Sequence, residues 1–421
     1  MGGSALKGKR RMMLSLLLSV AVLFAGCSPE PKADSRKIKV GVAFPVSGNL
    51  AKIGQSCTNG VEIAAELVNE QGKDFNIELI KVDVPDAVTA VHQVNRLILK
   101  EEVKIVVGTY ASPISMATSG ITERNRVVLW EVAATDPRLT RRGFRYVFRP
   151  NPDASMYGPA TVRFLSEVVA PELGVKNEEL RMALIHEDGD YGEGVAASTK
   201  EAAKKAGIPI VEEIRYNAKS TNDLSSAILR LKKAQPDIVN MVQYDTDAQL
   251  FWKQAKQLGL NAKVFIGNGA GQSSDNFGHT FGKAANGVLD TSSAISINPE
   301  ALTPEMRETE KRFVQRYKRK FGKEPDLIAR LAFSSSYILF NDVIPQAGGD
   351  DPDKIRQAAL SLDKPEGSTI VGWGVKFDET GQNTRATMSV MQWQNGKLVV
   401  VYPQNFKKSE PIMIPMHDSS K

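Results

Sequence analysis

From residue 36 onward the chain switches again and again between two hydrophobic periods. Short apolar runs, among them "KIKVGVAF", "NIELIKVD" and "KIVVGT", read as strands. Between them "GVEIAAELVNEQG" and "AVTAVHQVNRLILKE" place apolar residues three and four apart, which predicts helices. Strand, helix and strand in succession require parallel sheets with right-handed crossovers. The rhythm continues through a helix from Pro113 and the strand "VVLWEVAA", then breaks at "RPNPDAS". It restarts with a helix near 154–170, the strand "RMALIHED" and a helix over 192–206. "IVEEIRY", a helix over 221–235, "DIVNMVQY", a helix over 246–258 and "KVFIGN" follow. Two such runs predict an α/β protein of two doubly wound lobes. The length of 421 residues suits two or three domains rather than one core. Two later helices, "EMRETEKRFVQRYKRKFG" and "LIARLAFSSSYILFNDVIPQAG", are expected to return to the first lobe. "ATMSVMQWQNGKLVVVYP" reads as a hairpin turning at Asn395-Gly396.

The N-terminus belongs to a different kind of segment. Lys7, Lys9, Arg10 and Arg11 precede the apolar run "MMLSLLLSVAVLFAG". That run falls short of the ~20 residues of a membrane span and fits the core of a signal peptide. It ends in "LFAGC", Leu23 to Cys27, which resembles a bacterial lipoprotein box. Residues 1–26 are therefore expected to be a signal peptide. Cys27 is expected to be the lipidated mature N-terminus, and residues 27–36 a polar tether. An ordinary cleavage nearby is the alternative. The sequence has two cysteines, so a lipidated Cys27 leaves Cys57 unpaired. Cys57, in "GQSCTNG", reads as a small packed residue near a helix start.

Composition narrows the function. Hydrophobic residues at 42% and charged residues at 24% are ordinary for a soluble globular chain. The net charge of +6 comes from scattered KK, KR and RR pairs beside acids, so a nucleic-acid partner is not expected. The four histidines fall in no catalytic motif, and neither a G-x-S-x-G elbow nor a Walker loop occurs. "GNGAGQ" places Gln272 where a dinucleotide turn needs its third glycine. No enzyme, cofactor or metal is expected.

Ligands of open α/β sheets bind where strands end and helices begin, and four such ends carry suggestive residues. In "VVGTYASPIS", Ser112 is expected to cap a helix whose first-turn amides can hold a carboxylate; a plain cap is the alternative. In "LWEVAATDPRLTRRG", Ala133, Ala134 and Thr135 follow a strand, small enough to let a ligand reach the backbone. "IVNMVQYDTD" delivers Tyr244 and Asp245, and "LIHEDGDYGEG" delivers Tyr191. The acids Asp188, Asp190 and Glu193 crowd this last turn. They do not match a calcium loop, because the sixth position from Asp188 is Glu193 and the twelfth is Thr199. They are expected to serve the positive end of the following helix.

"VGVAFPVSGNLAKIGQ", "AATDPRLTRRGFRYVFRP", "DYGEG", "SSAILRLKKAQPDIVNMVQY" and "VGWGVKFDETGQNTRA" together resemble the periplasmic branched-chain amino acid-binding family. These are solute receptors of ABC importers, and the likeness spans nearly the whole mature chain. It implies the type 1 periplasmic binding protein fold, with two Rossmann-like lobes, a three-segment hinge and closure on a small solute. Lobe 1 is expected at 37–151 with 295–380, lobe 2 at 152–294 with 381–406, and a tail at 407–421. The resemblance also implies a permease and ATPase as partners, a monomer, and an exported, lipid-anchored location. The implied ligand contacts are Ser112, Ala133 and Thr135 from one lobe and Tyr191 and Tyr244 from the other. Ser112 and Thr135 would take an α-carboxylate.

Two departures stand out. Leucine-type receptors place a glutamate for the ligand ammonium where this chain has Gly269, and Ile53 stands where an aromatic is common. Either Glu131 or Asp245 substitutes, or the ligand lacks an α-amino group. Leucine-like amino acids are the first expectation, with an aromatic or keto acid or an amide as the alternative. A sensor without an importer is also open. Glu131, in an apolar run, is expected to pair with an arginine of "RLTRRG" or with Arg330, or to meet an ammonium.

Overall fold

The structure, a computed structural model, describes residues 1–2, 36–218, 220–293 and 297–413. The signal peptide, Cys27, nearly all of the tether and the last eight residues of the tail lie outside the described residues. The strands and helices below belong to one structural unit, Lys37–Lys421, apart from Arg36 at the head of the first strand.

The first run of alternation gives β1 (Arg36–Phe44), α1 (Ala51–Asn69), β2 (Phe75–Asp83), α2 (Ala87–Leu99) and β3 (Ile105–Gly108). It continues with α3 (Ser112–Arg124), β4 (Val128–Glu131) and the two-residue β5 (Val147–Phe148). These strands form one sheet in the order β2-β1-β3-β4-β5. The second run gives α4 (Tyr157–Phe164), α5 (Ala170–Leu173), β6 (Met182–Glu187), α6 (Asp190–Ala206) and β7 (Ile210–Tyr216). Next come α7 (Ser225–Ala234), β8 (Ile238–Val242), α8 (Asp245–Gln257), β9 (Val264–Asn268), α9 (Asp275–Phe281) and β10 (Leu289–Ser292). The chain then adds α10 (Pro304–Phe321), α11 (Leu327–Tyr337), α12 (Ile344–Ala347), α13 (Pro352–Ser361), β11 (Ser389–Gln394) and β12 (Lys397–Tyr402).

The second sheet runs β12-β11-β10-β9-β8-β6-β7. Its β7, β6, β8, β9 and β10 are parallel, while the β11–β12 hairpin joins β10 antiparallel. The hairpin turns at Asn395 and Gly396, both left-handed at φ 52° and 75°, as a two-residue turn of this kind requires.

Local chemistry sets the element ends. Asp86 caps α2 by accepting the Thr89 amide at 2.8 Å, and Thr303 caps α10 ahead of Pro304. The predicted 221–235 helix begins only at Ser225, because Asp223 turns back to accept the Ser225 amide at 2.9 Å. Leu327–Ala347 is a continuous helical stretch of 21 residues, long and apolar enough to cross a membrane, yet mostly buried within the protein. It packs on α1 at Gly60, where a Cβ would stand 2.3 Å from the Ala329 carbonyl oxygen. Cys57, also on α1, is fully buried, and burial pushes its thiol well above its usual pKa.

Candidate ligand cleft

Both sheets share one topology. Numbered within its own lobe, each parallel run has the order 2-1-3-4-5, and such a sheet leaves its crevice where the order reverses. In the first sheet that point lies between β1 and β3, and in the second between β6 and β8. The C-terminal ends of β3, β4, β6 and β8 deliver the residues picked out in the sequence.

On the first wall, the N-cap of α3 is Ala111 and not Ser112. The Ala111 carbonyl accepts the amides of Ile114 and Ser115 at 3.0 Å each, and this makes Ser112 the first helical residue. The expected Ser112 cap is therefore corrected: its Oγ instead accepts the Asp136 amide at 3.1 Å. In the first turn of α3 Pro113 has no amide hydrogen and the Ile114 amide is taken by Ala111, which leaves the Ser112 amide without an acceptor in the helix. Ala133 and Thr135 are half-buried and Ala134 is buried.

Glu131 closes β4 and is fully buried. Its Oε1 accepts the amides of Tyr110 (3.2 Å), Val132 (3.0 Å), Ala133 (3.0 Å) and Ala134 (2.9 Å). Its Oε2 accepts the Thr109 amide at 2.8 Å and the Ser115 hydroxyl at 2.6 Å. Among the described residues no cation pairs with it. Arg330 pairs with Glu310 at 2.8 Å, and Arg138 and Arg141 pair with other acids, so the expected ion pair is replaced by a shell of amides and one hydroxyl.

On the second wall, the Tyr191 ring sits 5.1 Å from that of Tyr244, tilted by 48°. The Tyr191 hydroxyl donates to the Asn268 carbonyl. Tyr244 is the N-cap of α8, and Asp245 is its first residue. The Asp245 carboxylate accepts from the Ser274 hydroxyl, from Asn276 at 3.0 Å and from Gln249 at 3.1 Å.

Gly269 has φ 95°, and a Cβ there would lie 3.2 Å from both the Tyr157 and the Tyr191 hydroxyl oxygens. Backbone conformation and space both disfavour a side chain at this place. Behind it, the buried Asp290 accepts the Gly269 amide at 3.2 Å, and burial lifts its carboxyl well above the usual range.

The acids of the Tyr191 turn have individual partners. Asp188 accepts from Asn217 at 2.9 Å, Asp190 pairs with Arg138 at 2.6 Å and Glu193 pairs with Arg215. The helix N-cap itself is Gly189, without a side-chain cap, although Asp190 and Glu193 do occupy the first turn.

Two tyrosines were not singled out in the sequence. Tyr110 is buried at φ 85°, and burial raises its phenol well above the usual pKa. Tyr157 opens α4 beside Gly269. A non-glycine residue can hold a left-handed conformation only when its surroundings impose it, and nothing in "GTYAS" announces this. Ile53 lies half-buried on α1 against the core of the first lobe.

Comparison with known proteins sets this geometry in a family. The profile of the periplasmic binding protein family matches residues 37–397. "Leu/Ile/Val-binding protein homolog 7" of Brucella suis is 35% identical over 401 residues, covering 94% of this chain and 98% of that protein. "Leu/Ile/Val-binding protein homolog 8" of the same organism is 36% identical over 406 residues, with the same coverage of both. Among solved structures, a leucine-binding protein from Thermotoga maritima superposes with a TM-score of 0.73 at 24% identity, covering 86% of this chain and 97% of that one. A solute-binding protein of an R. palustris ABC transporter, in complex with benzoate, gives 0.72 at 19% identity, covering 90% and 99%. The two lobes thus have the type 1 periplasmic binding protein fold, and the chain belongs to the periplasmic binding protein family, solute receptors that work outside the cytoplasm.

Proposed function

We propose that this protein is the solute receptor of an ABC importer, anchored to a bacterial membrane through lipid on Cys27, and that it closes its lobes on a small amphipathic carboxylate without catalysis. It acts as a monomer and passes its ligand to a permease and ATPase complex. This reading is supported by four strand ends at the two switch points, whose walls are linked by Arg138 and Asp190 at 2.6 Å. Ser112, Ala133, Ala134 and Thr135 come from one wall, and Tyr191 and Tyr244 from the other. The α3 N-terminus with the hydroxyls of Ser112 and Thr135 suits a carboxylate. The tyrosines suit an apolar or aromatic body. A branched-chain or related amino acid is the first ligand class, in keeping with the names of the Brucella relatives.

One observation favours a second reading. Glu131 is saturated by its own amides, Asp245 has three donors and Gly269 has no side chain. An ammonium buried here without an anion is costly, whereas a keto or aromatic acid meets no such cost. Thermal unfolding against leucine, 4-methyl-2-oxopentanoate, benzoate and aliphatic amides tests both. A ligand at 100 times its Kd stabilises the folded state by about 2.7 kcal/mol. A rise in Tm with amine-free acids alone selects the second reading, and no rise with any of them refutes both.

A further inference from the structure

We infer that Glu131 is a positioning residue, whose carboxylate holds the two ligand-facing turns of the first wall in register and takes no charge from the ligand. The inference rests on the cleft being the ligand site, as proposed above.

The donors to Glu131 come from the two stretches that build this wall. Thr109 and Tyr110 belong to the β3–α3 turn and Ser115 to the start of α3, while Val132, Ala133 and Ala134 belong to the segment after β4. A carboxylate offers about four lone-pair directions. Six donors within 3.2 Å exhaust them. The protein has in effect bound its own anion in a nest of backbone amides, which offsets the desolvation of a fully buried charge.

Two consequences reach the cleft. The Ala133 and Ala134 amides are committed inward, so Ser112 and Thr135 remain as the hydroxyl donors of the wall. The Tyr110 amide is held while its backbone stands at φ 85°, a conformation that an L-residue does not hold unaided. Glu131 thereby holds the backbone of Tyr110 in this turn.

A glutamine at this place has one acceptor oxygen and turns an NH2 group toward amide hydrogens. Glu131→Gln should therefore loosen both turns together. In the ligand-free protein, hydrogen exchange should speed up at residues 109–115 and 132–134 and stay unchanged in β6 and β8. Affinities for leucine and for 4-methyl-2-oxopentanoate should fall by the same factor, roughly 10- to 100-fold, as for other supporting groups behind a binding shell. If the variant does not fold, Ser115→Ala removes one donor and keeps the carboxylate. It should give a smaller but equally shared loss, with faster exchange confined to 109–115.

Loss of leucine with the keto acid unaffected would make Glu131 the ammonium partner and overturn the inference. Unchanged affinity for both probes, or unchanged exchange, would also overturn it. If the wild type binds neither probe, the proposed ligand class falls. If it binds only one, matched affinities cannot be compared. In both cases exchange in the ligand-free protein still decides the role of Glu131.

Discussion

Arg138 and Asp190 stand on opposite walls of the cleft, and their side chains meet at 2.6 Å. Arg138 also grips the buried Asp136, whose amide is held by Ser112, while Asp190 immediately precedes Tyr191. The pair therefore ties the two ligand-facing turns together when the lobes are shut. The arginine is 61% exposed, so the bond is screened by solvent and its contribution is about 0.2–1 kcal/mol. Arg138→Gln should speed ligand dissociation up to about fivefold, a factor that follows from the upper end of that range. The difference from wild type should shrink as salt rises. Stopped-flow release at low and high salt reads this; equal rates in both proteins would show that the pair plays no part in closure.

The hinge makes a second prediction. Crossings are proposed near 150–154, 291–296 and 378–392; residues 294–296 lie outside the described part. The other two are joined by side chains. Arg149, fully buried, donates to Gln382 Oε1 at 2.7 Å and to the Asp136 carbonyl at 2.7 Å, while Asn383 donates to the Pro150 carbonyl at 2.9 Å. Ligand should compact the protein, measured as a smaller radius of gyration in small-angle scattering. Gln382→Ala, which removes the Arg149 acceptor, should lower stability by about 1–3 kcal/mol in chemical denaturation. Unaltered scattering under saturating ligand would argue against closure.

Gly269 is not a vacant place for an acid. Gly269→Ala forces a left-handed alanine and a contact of 3.2 Å with two tyrosine hydroxyls. The expected outcome is a loss of about 1–3 kcal/mol in stability together with weaker binding. Gly269→Glu should not tighten the binding of an amino acid. Calorimetry that finds tighter leucine binding in Gly269→Glu would contradict this.

Asp247 predicts a pH effect. It accepts from the Tyr216 hydroxyl, and burial raises its carboxyl to about 6. The folded pKa lies above the unfolded one, so the folded state binds the proton more tightly. This stabilisation is complete below the unfolded pKa of about 4 and is lost as pH rises through about 6. Asp247→Asn should therefore gain about 1–3 kcal/mol on wild type at pH 8 and little at pH 4. Urea unfolding at the two values checks the sign; an equal difference at both would rule out the linkage.

Cys27→Ser should release the protein from the membrane fraction in soluble form. Mass spectrometry of the wild type should find the lipid on Cys27, and an unmodified mature N-terminus at another residue would end the proposal.

The alternation of strand and helix in the sequence carried the two-lobe α/β fold because each period is a local property. Caps and turns were legible where one residue acts on its near neighbours, as at Asn395-Gly396. Ser112 misled because Pro113 marks a helix start without saying which residue precedes the first turn. Tyr110 was invisible for a stronger reason: the carboxylate that holds its amide lies 21 residues away in the chain. Tyr157 reads as an ordinary helical aromatic until Gly269, more than a hundred residues later, folds beside it. The charge of Glu131 was conspicuous, but its partners are backbone amides, which every sequence has and none displays.

The long helix Leu327–Ala347 bears on the protein's biogenesis as well as on its core. A receptor that works outside the cytoplasm has to be delivered there, and a chain that travels unfolded offers each apolar stretch to the lipid on the way. This one has the length of a bilayer-spanning segment. What argues for its passage is the pair of charges it carries. Arg330 and Asp342 find Glu310 and Lys364 only in the finished fold. In transit they stand unneutralised and raise the cost of stopping in the membrane. The same two residues, buried and half-buried in the native protein, would thus count against mistaken anchoring of this helix.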